Sequence, residues 1–212
     1  MDLPGWQAVY EKLGGENFEI ISVAQDTGGE AAAGEFYDAA DATYTTLIDV
    51  HHTVSSLYNM TNVPTGVWID EAGMIVRPNE VAYSENVEFG TIKVNGEAYV
   101  SALADWVEHG GESRFALSPT EVVLRVRPRS GDAAAADATF KLGAYFHEQG
   151  DLERANALWH QAQELQPESW NYHRQDWSFR SRDEASQNWR QKFEALGDEP
   201  YYAPLALEDA PP

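Results

Sequence analysis

The sequence predicts an α/β domain followed by an all-α extension, and three observations carry that expectation. Helical and strand periodicities alternate through roughly the first hundred residues, only helical periodicity follows Ala133, and turn-forming stretches at Gly110–Ser118 and Arg127–Asp132 lie between them. The boundaries follow as an α/β domain over 1–112, a linker with an extended piece over 113–132, a helical region over 133–197 and an acidic tail over 198–212.

Each element has its own signal. Leu3, Trp6, Val9, Tyr10 and Leu13 recur at helical spacing until Gly14-Gly15 ends the run. Phe18–Ala24 reads as a buried strand, Asp26–Gly29 as a loop, Glu30–Ala42 as an alanine-rich helix, Thr45–Val50 as a strand and Thr53–Met60 as a short helix. Gly66–Ile69 and Met74–Arg77 form a hairpin about Asp70–Gly73, where Asp and Gly supply turn geometry. Pro78–Asn95 reads as an irregular insertion, and Ala98–His109 as a helix with Tyr99, Leu103, Trp106 and Val107 on one face. Val122–Val126 is β-branched enough to read as extended. The last helix is expected near Asp183–Leu196, before a mobile or surface-draped tail from Gly197 to Pro212.

Composition excludes several function classes. The 212 residues, 43% hydrophobic and 12% aromatic, suffice for one domain core and an extension without a covalent staple. Zero cysteines remove thiol nucleophiles, disulfide exchange and cysteine metal sites from these residues, so no catalytic thiol is expected; no motif calls for a metal or a cofactor, and none is expected either. A net charge of −21 argues against phosphate backbones and hence against nucleic acid. Lysine occurs only at Lys12, Lys93, Lys141 and Lys192, while arginine gathers at Arg125, Arg127 and Arg129. No apolar run approaches the ~20 residues of a membrane span, and Met1–Pro4 enters a helical pattern directly, so the chain as written reads as soluble and cytoplasmic. An acidic, lysine-poor surface also suits high salt, where like charges are screened.

The most informative stretch is Asn62-Val63-Pro64-Thr65-Gly66-Val67-Trp68-Ile69-Asp70-Glu71-Ala72-Gly73-Met74-Ile75-Val76-Arg77. With Trp6–Lys12, Phe18–Asp26 and Leu47–Asp49 it resembles a thioredoxin-like redoxin of the TlpA-like or peroxiredoxin-related kind over about residues 1–110. The resemblance implies a thioredoxin-like three-layer sandwich with a cis-proline loop at Val63-Pro64 beside the first helix. It also implies that Asn62, Val63, Pro64 and Thr65 present backbone groups to a polypeptide. Leu142, Gly143, Phe146, Gly150, Ala155, Trp159, Ala162 and Pro167 resemble one tetratricopeptide-like repeat in residue type and spacing.

In redoxins a Trp-x-x-Cys-x-x-Cys run precedes the helix whose kink proline matches Pro4 here, which would place both cysteines and their strand upstream of Met1. The strand is interior in the family, so its absence leaves two edges unpaired, those of Phe18–Ala24 and Gly66–Ile69. Direct pairing of these two strands, Val122–Val126 as a substitute, or a homodimer through the open edge would each close the gap. The functional expectation is a polypeptide-binding adaptor module; the alternative is a truncated thiol-disulfide oxidoreductase or thiol peroxidase.

Other constellations are weaker. His51-His52 with Asp49 offers metal-ligand chemistry, but adjacent residues on an extended segment face opposite ways. His147, His160 and His173 fall on helices, Asp70 and Glu71 in a turn that favours them, and Gly28-Gly29 is too short for a phosphate loop. Trp159, Trp170, Tyr172, Trp177, Phe179 and Trp189 form a dense aromatic set; Trp170, Tyr172, Arg174 and Trp177 are the candidate partner surface within it.

Overall fold

The computed structural model describes residues 2–15, 17–126 and 128–207. It is a mixed α/β structure. Helix α1 (Leu3–Leu13) carries Pro4 in its first turn, where a missing N–H costs nothing, and the Gly14 amide closes the last turn on the Tyr10 carbonyl. Strand β1 (Ile21–Ala24) runs parallel to β2 (Thr45–Ile48), with α2 (Glu30–Ala39) as the crossover that parallel pairing requires. After α3 (Thr53–Leu57) come β3 (Thr65–Ile69) and β4 (Ile75–Val81), an antiparallel hairpin. Its turn is held by the Asp70 carboxylate, which accepts the Ala72 and Met74 amides at 3.0 and 2.8 Å, with Gly73 at φ +77°.

The stretch expected to be irregular is more ordered than its composition suggests. β4 continues to Val81, and β5 (Val87–Phe89) pairs with β6 (Ile92–Val94) about Gly90, which takes φ +58°. Helix α4 (Gly96–His109) follows, capped by Asn95, whose side chain accepts the Ala98 amide. A short 3-10 turn spans Gly110–Glu112.

The expected extended piece at Val122–Val126 lies instead largely in helix α5 (Pro119–Arg125). Ser118 and Glu121 form a reciprocal capping box and Pro119 opens the first turn, local signals that outweigh three β-branched or long aliphatic side chains in sequence. Nor is the 113–132 segment a free linker: Phe115, Leu117 and Val122 are buried, and the Leu117 amide donates to the Val76 carbonyl at 2.8 Å along the outer edge of β4.

The helical region comprises α6 (Gly131–Glu148), α7 (Leu152–Leu165), α8 (Trp170–Ser178) and α9 (Arg182–Glu194). α6 and α7 approach closely at Gly143, where an added Cβ would stand 2.6 Å from the Trp159 indole, and the indole Nε1 donates to the Phe140 carbonyl at 3.2 Å. Residues 201–207 are not a loose tail. Tyr201 is buried among Trp170, Val81, Ile92 and Val94, and Leu205 and Leu207 pack on the cluster of Val9, Trp68, Tyr99 and Leu103. The remainder of the expected tail, 208–212, lies outside the described residues, as does Arg127 of the arginine group.

The strands stand as three separate pairs, β1–β2, β3–β4 and β5–β6. The direct pairing expected between Phe18–Ala24 and Gly66–Ile69 is not formed, and the helical Val122–Arg125 does not substitute for it. No helix among the described residues is long and apolar enough to cross a membrane.

Candidate functional site

Asn62–Thr65 connects α3 to β3, and the Val63–Pro64 peptide bond is cis. The loop closes on itself: Asn62 Oδ1 accepts the Val63 amide at 2.9 Å, and the Thr65 hydroxyl donates to the Asn62 carbonyl at 2.7 Å. Pro64 accepts the Ala82 amide at 3.3 Å. Two residues on, Ser84 donates its amide and hydroxyl to the Asp2 carboxylate at 2.5 and 2.6 Å, so the first turn of α1 and the loop are moored to one short segment.

Distant parts of the chain supply the remaining partners. Asn171, from α8, donates its amide to the Thr61 carbonyl and its side chain to the Met60 carbonyl, at 3.2 and 2.9 Å. Asn62 Nδ2 donates to the Tyr201 carbonyl at 3.2 Å, and the Tyr202 hydroxyl donates to the Val63 carbonyl at 3.0 Å. Burial and the neighbouring Tyr83 hydroxyl push the Tyr202 phenol up from its ordinary value, so it stays protonated and can donate. Further along, Arg77 Nη2 donates to the Ala206 carbonyl at 2.9 Å. A segment without regular secondary structure is thus held at the loop through the Tyr201 carbonyl and the Tyr202 hydroxyl, and farther on, beside β4, through the Ala206 carbonyl.

Arg77, by sequence only the end of a strand, is 0% exposed. It donates to Glu80 at 2.9 Å and to the Phe115 carbonyl at 2.7 Å, and lies 5.3 Å over the Trp68 ring. Glu80 also meets Arg125 at 3.5 Å. An arginine directly after Ile75-Val76 was the available signal: a charge inside an apolar strand is buried only when paired.

The four candidate partner-surface residues divide. Trp170 is 4% exposed and belongs to the core with Tyr201, which removes it from any free surface. Tyr172 stacks on Phe140 with ring centroids 4.6 Å apart. Arg174 donates to the Tyr201 hydroxyl. Trp177 lines an open cleft of about 450 Å³ between α7, α8 and α9, together with His160, His173, Asp176, Arg180 and Lys192. Asp176 is buried there, accepting Arg180 at 2.9 Å and Gln163 at 3.3 Å, with His160 at 3.6 Å. His173 Nε2 has no protein partner, and burial, aided by the Lys192 charge, lowers its pKa to about 4.

The adjacent histidines do separate, but through a turn and not through the expected extended backbone: the His52 amide closes back on the Asp49 carbonyl at 3.4 Å. His51 is exposed near Glu148, 3.7 Å away. His52 is buried, adopts φ +53°, and joins Thr27 and Gln175 at 3.2 and 3.0 Å, with its pKa lowered by burial. Gln175 Oε1 also accepts the Thr27 amide at 3.0 Å, so His52 belongs to a joint between the α/β part and α8. Among the described residues no three His, Asp or Glu side chains converge on a metal position. His147 packs against Phe179 at a tilt, with ring centroids 4.1 Å apart, and Asp70 serves its turn. No protein-family model, curated protein or solved structure matches this chain.

Proposed function

We propose that the chain is a polypeptide-binding module of thioredoxin-like type, cysteine-free in these 212 residues, that holds an extended segment at Asn62–Thr65. A tetratricopeptide-like helical pair, α6 and α7, would widen its surface through α8. The observation that carries this reading is the way residues 201–206 lie across the loop: Asn62 reads the Tyr201 carbonyl, Arg77 reads the Ala206 carbonyl, and Tyr202 meets the Val63 carbonyl. Recognition through main-chain groups is what a sequence-tolerant polypeptide binder needs, because every peptide carries them. The absence of cysteine leaves no group for a mixed disulfide.

The test is titration of the ¹⁵N-labelled chain with unrelated extended peptides. Amide shifts centred on Asn62, Val63 and Thr65 support the reading; shifts absent from the loop with every peptide sink it. A second reading, a redoxin-type oxidoreductase whose thiols stand on a segment outside these residues, is favoured by the lack of any described strand on the outer edges of β1 and β3, where redoxins carry the strand leading to their cysteines. Under either reading the 212-residue chain shows no turnover above background in insulin-reduction and thiol-peroxidase assays.

A further inference from the structure

We infer that the outer edge of β1, together with the exposed apolar face of the β1–β2 pair, is a docking site for an extended β-strand flanked by lysine or arginine, donated by a basic partner polypeptide. The site lies apart from the Asn62–Thr65 loop and does not depend on the function proposed for it.

Parallel strands are ordinarily buried on both faces. Here none of the eight residues of β1 and β2 is buried, Ile21 is 61% exposed and Leu47 49%. The register places Ile21 opposite Thr45 and Val23 opposite Leu47, so these side chains share one face of the pair. Other edges are served: Leu117 covers the outer edge of β4, and the Tyr37 hydroxyl reaches the Leu47 carbonyl of β2 at 3.2 Å. Among the described residues no strand covers the outer edge of β1 or that of β3. Phe18, just before β1, and Trp68 of β3 pack in one cluster, so both strands lead to the same core.

These features select the occupant. A free strand edge offers alternating N–H and C=O groups, which only an extended backbone matches in register, and the exposed Ile21 and Leu47 call for apolar side chains on it. Charge selects further. Between Leu13 and Val76 the sequence holds ten acidic residues and no lysine or arginine, and the acids include Glu19 and Asp26 beside β1 and Asp49 beside β2. A second copy would bring the same negative stretch to the interface, whereas a basic-flanked strand complements it.

The experiment uses the full chain and a capped peptide of sequence Lys-Val-Thr-Val-Ile-Val-Lys, with one control carrying proline at the central position and another carrying glutamate at both ends. Calorimetric titration is expected to show binding of the lysine peptide, weakened about tenfold or more between ~0.05 and ~0.5 M salt as the flanking charges are screened. Hydrogen exchange is expected to slow about tenfold at Ile21–Ala24, with no binding by the proline control, which lacks the central N–H. Absence of binding overturns the proposal, as does equal binding of the proline or glutamate peptide. Protection confined to Asn62–Thr65 also overturns it while supporting the loop reading. Doubling of mass with protection of Ile21–Ala24 before peptide is added assigns the edge to a second copy and equally overturns it.

Discussion

At the residue scale the buried charges and histidines govern stability. Replacing Arg77 by Met leaves Glu80, only 9% exposed in its side chain, with a longer contact to Arg125, strands the Phe115 carbonyl and leaves the Ala206 carbonyl with only the 3.4 Å bond from Arg125. The expected loss is about 3 kcal/mol or more in urea unfolding, partly recovered when Glu80 is replaced by Leu in the same chain. His52 and His173 both have lowered pKa values, the latter about 4, because burial disfavours their charged forms. The unfolded chain, with histidine near ~6.5, therefore takes up protons before the folded one does, and stability present above that pH falls as pH drops toward 4. Thermal melts between pH 7.5 and 4.5 should show a falling Tm, and His52→Gln or His173→Gln should each flatten that slope; an unchanged slope in both variants would refute the assignment.

At the element scale the α6–α7 contact depends on one missing side chain. Gly143→Ala places a methyl against the Trp159 indole and the nearby Ala155 carbonyl, so the helices must part. A loss of about 1–3 kcal/mol is expected, with altered Trp159 fluorescence. Residues 201–207 act as an element without regular secondary structure: Tyr202→Phe removes the hydroxyl shared by Val63 and Tyr83 and should cost about 1 kcal/mol. Its diagnostic readout is faster amide exchange in Asn62–Thr65, since a purely distant packing effect would leave that loop unchanged. Helices were the elements most legible in sequence, because their apolar spacing is local; α5 is the exception, where the aliphatic run Val122–Leu124 reads as extended and the Ser118–Glu121 box that starts the helix goes unread.

At the scale of the whole molecule, the −21 charge and the separation of the strands into three pairs act together. Self-repulsion should make the chain more stable in salt, so Tm is expected to rise by several degrees between low salt and about 1 M sodium chloride, without the appearance of a dimer in light scattering. Sequence alone determined the mixed α/β class, the absence of thiol chemistry within these residues, the hairpin at Asp70–Gly73 and the position of the Val63-Pro64 loop. Each of these follows from residue identity or short-range spacing. Tertiary structure alone decided that Trp170 is core, that Arg77 is buried, that Tyr201–Leu207 packs across the loop, and that β1 and β3 do not pair. Burial and strand pairing depend on which distant segments meet: Arg77 and Ala206 lie 129 positions apart, and local periodicity carries no record of that encounter.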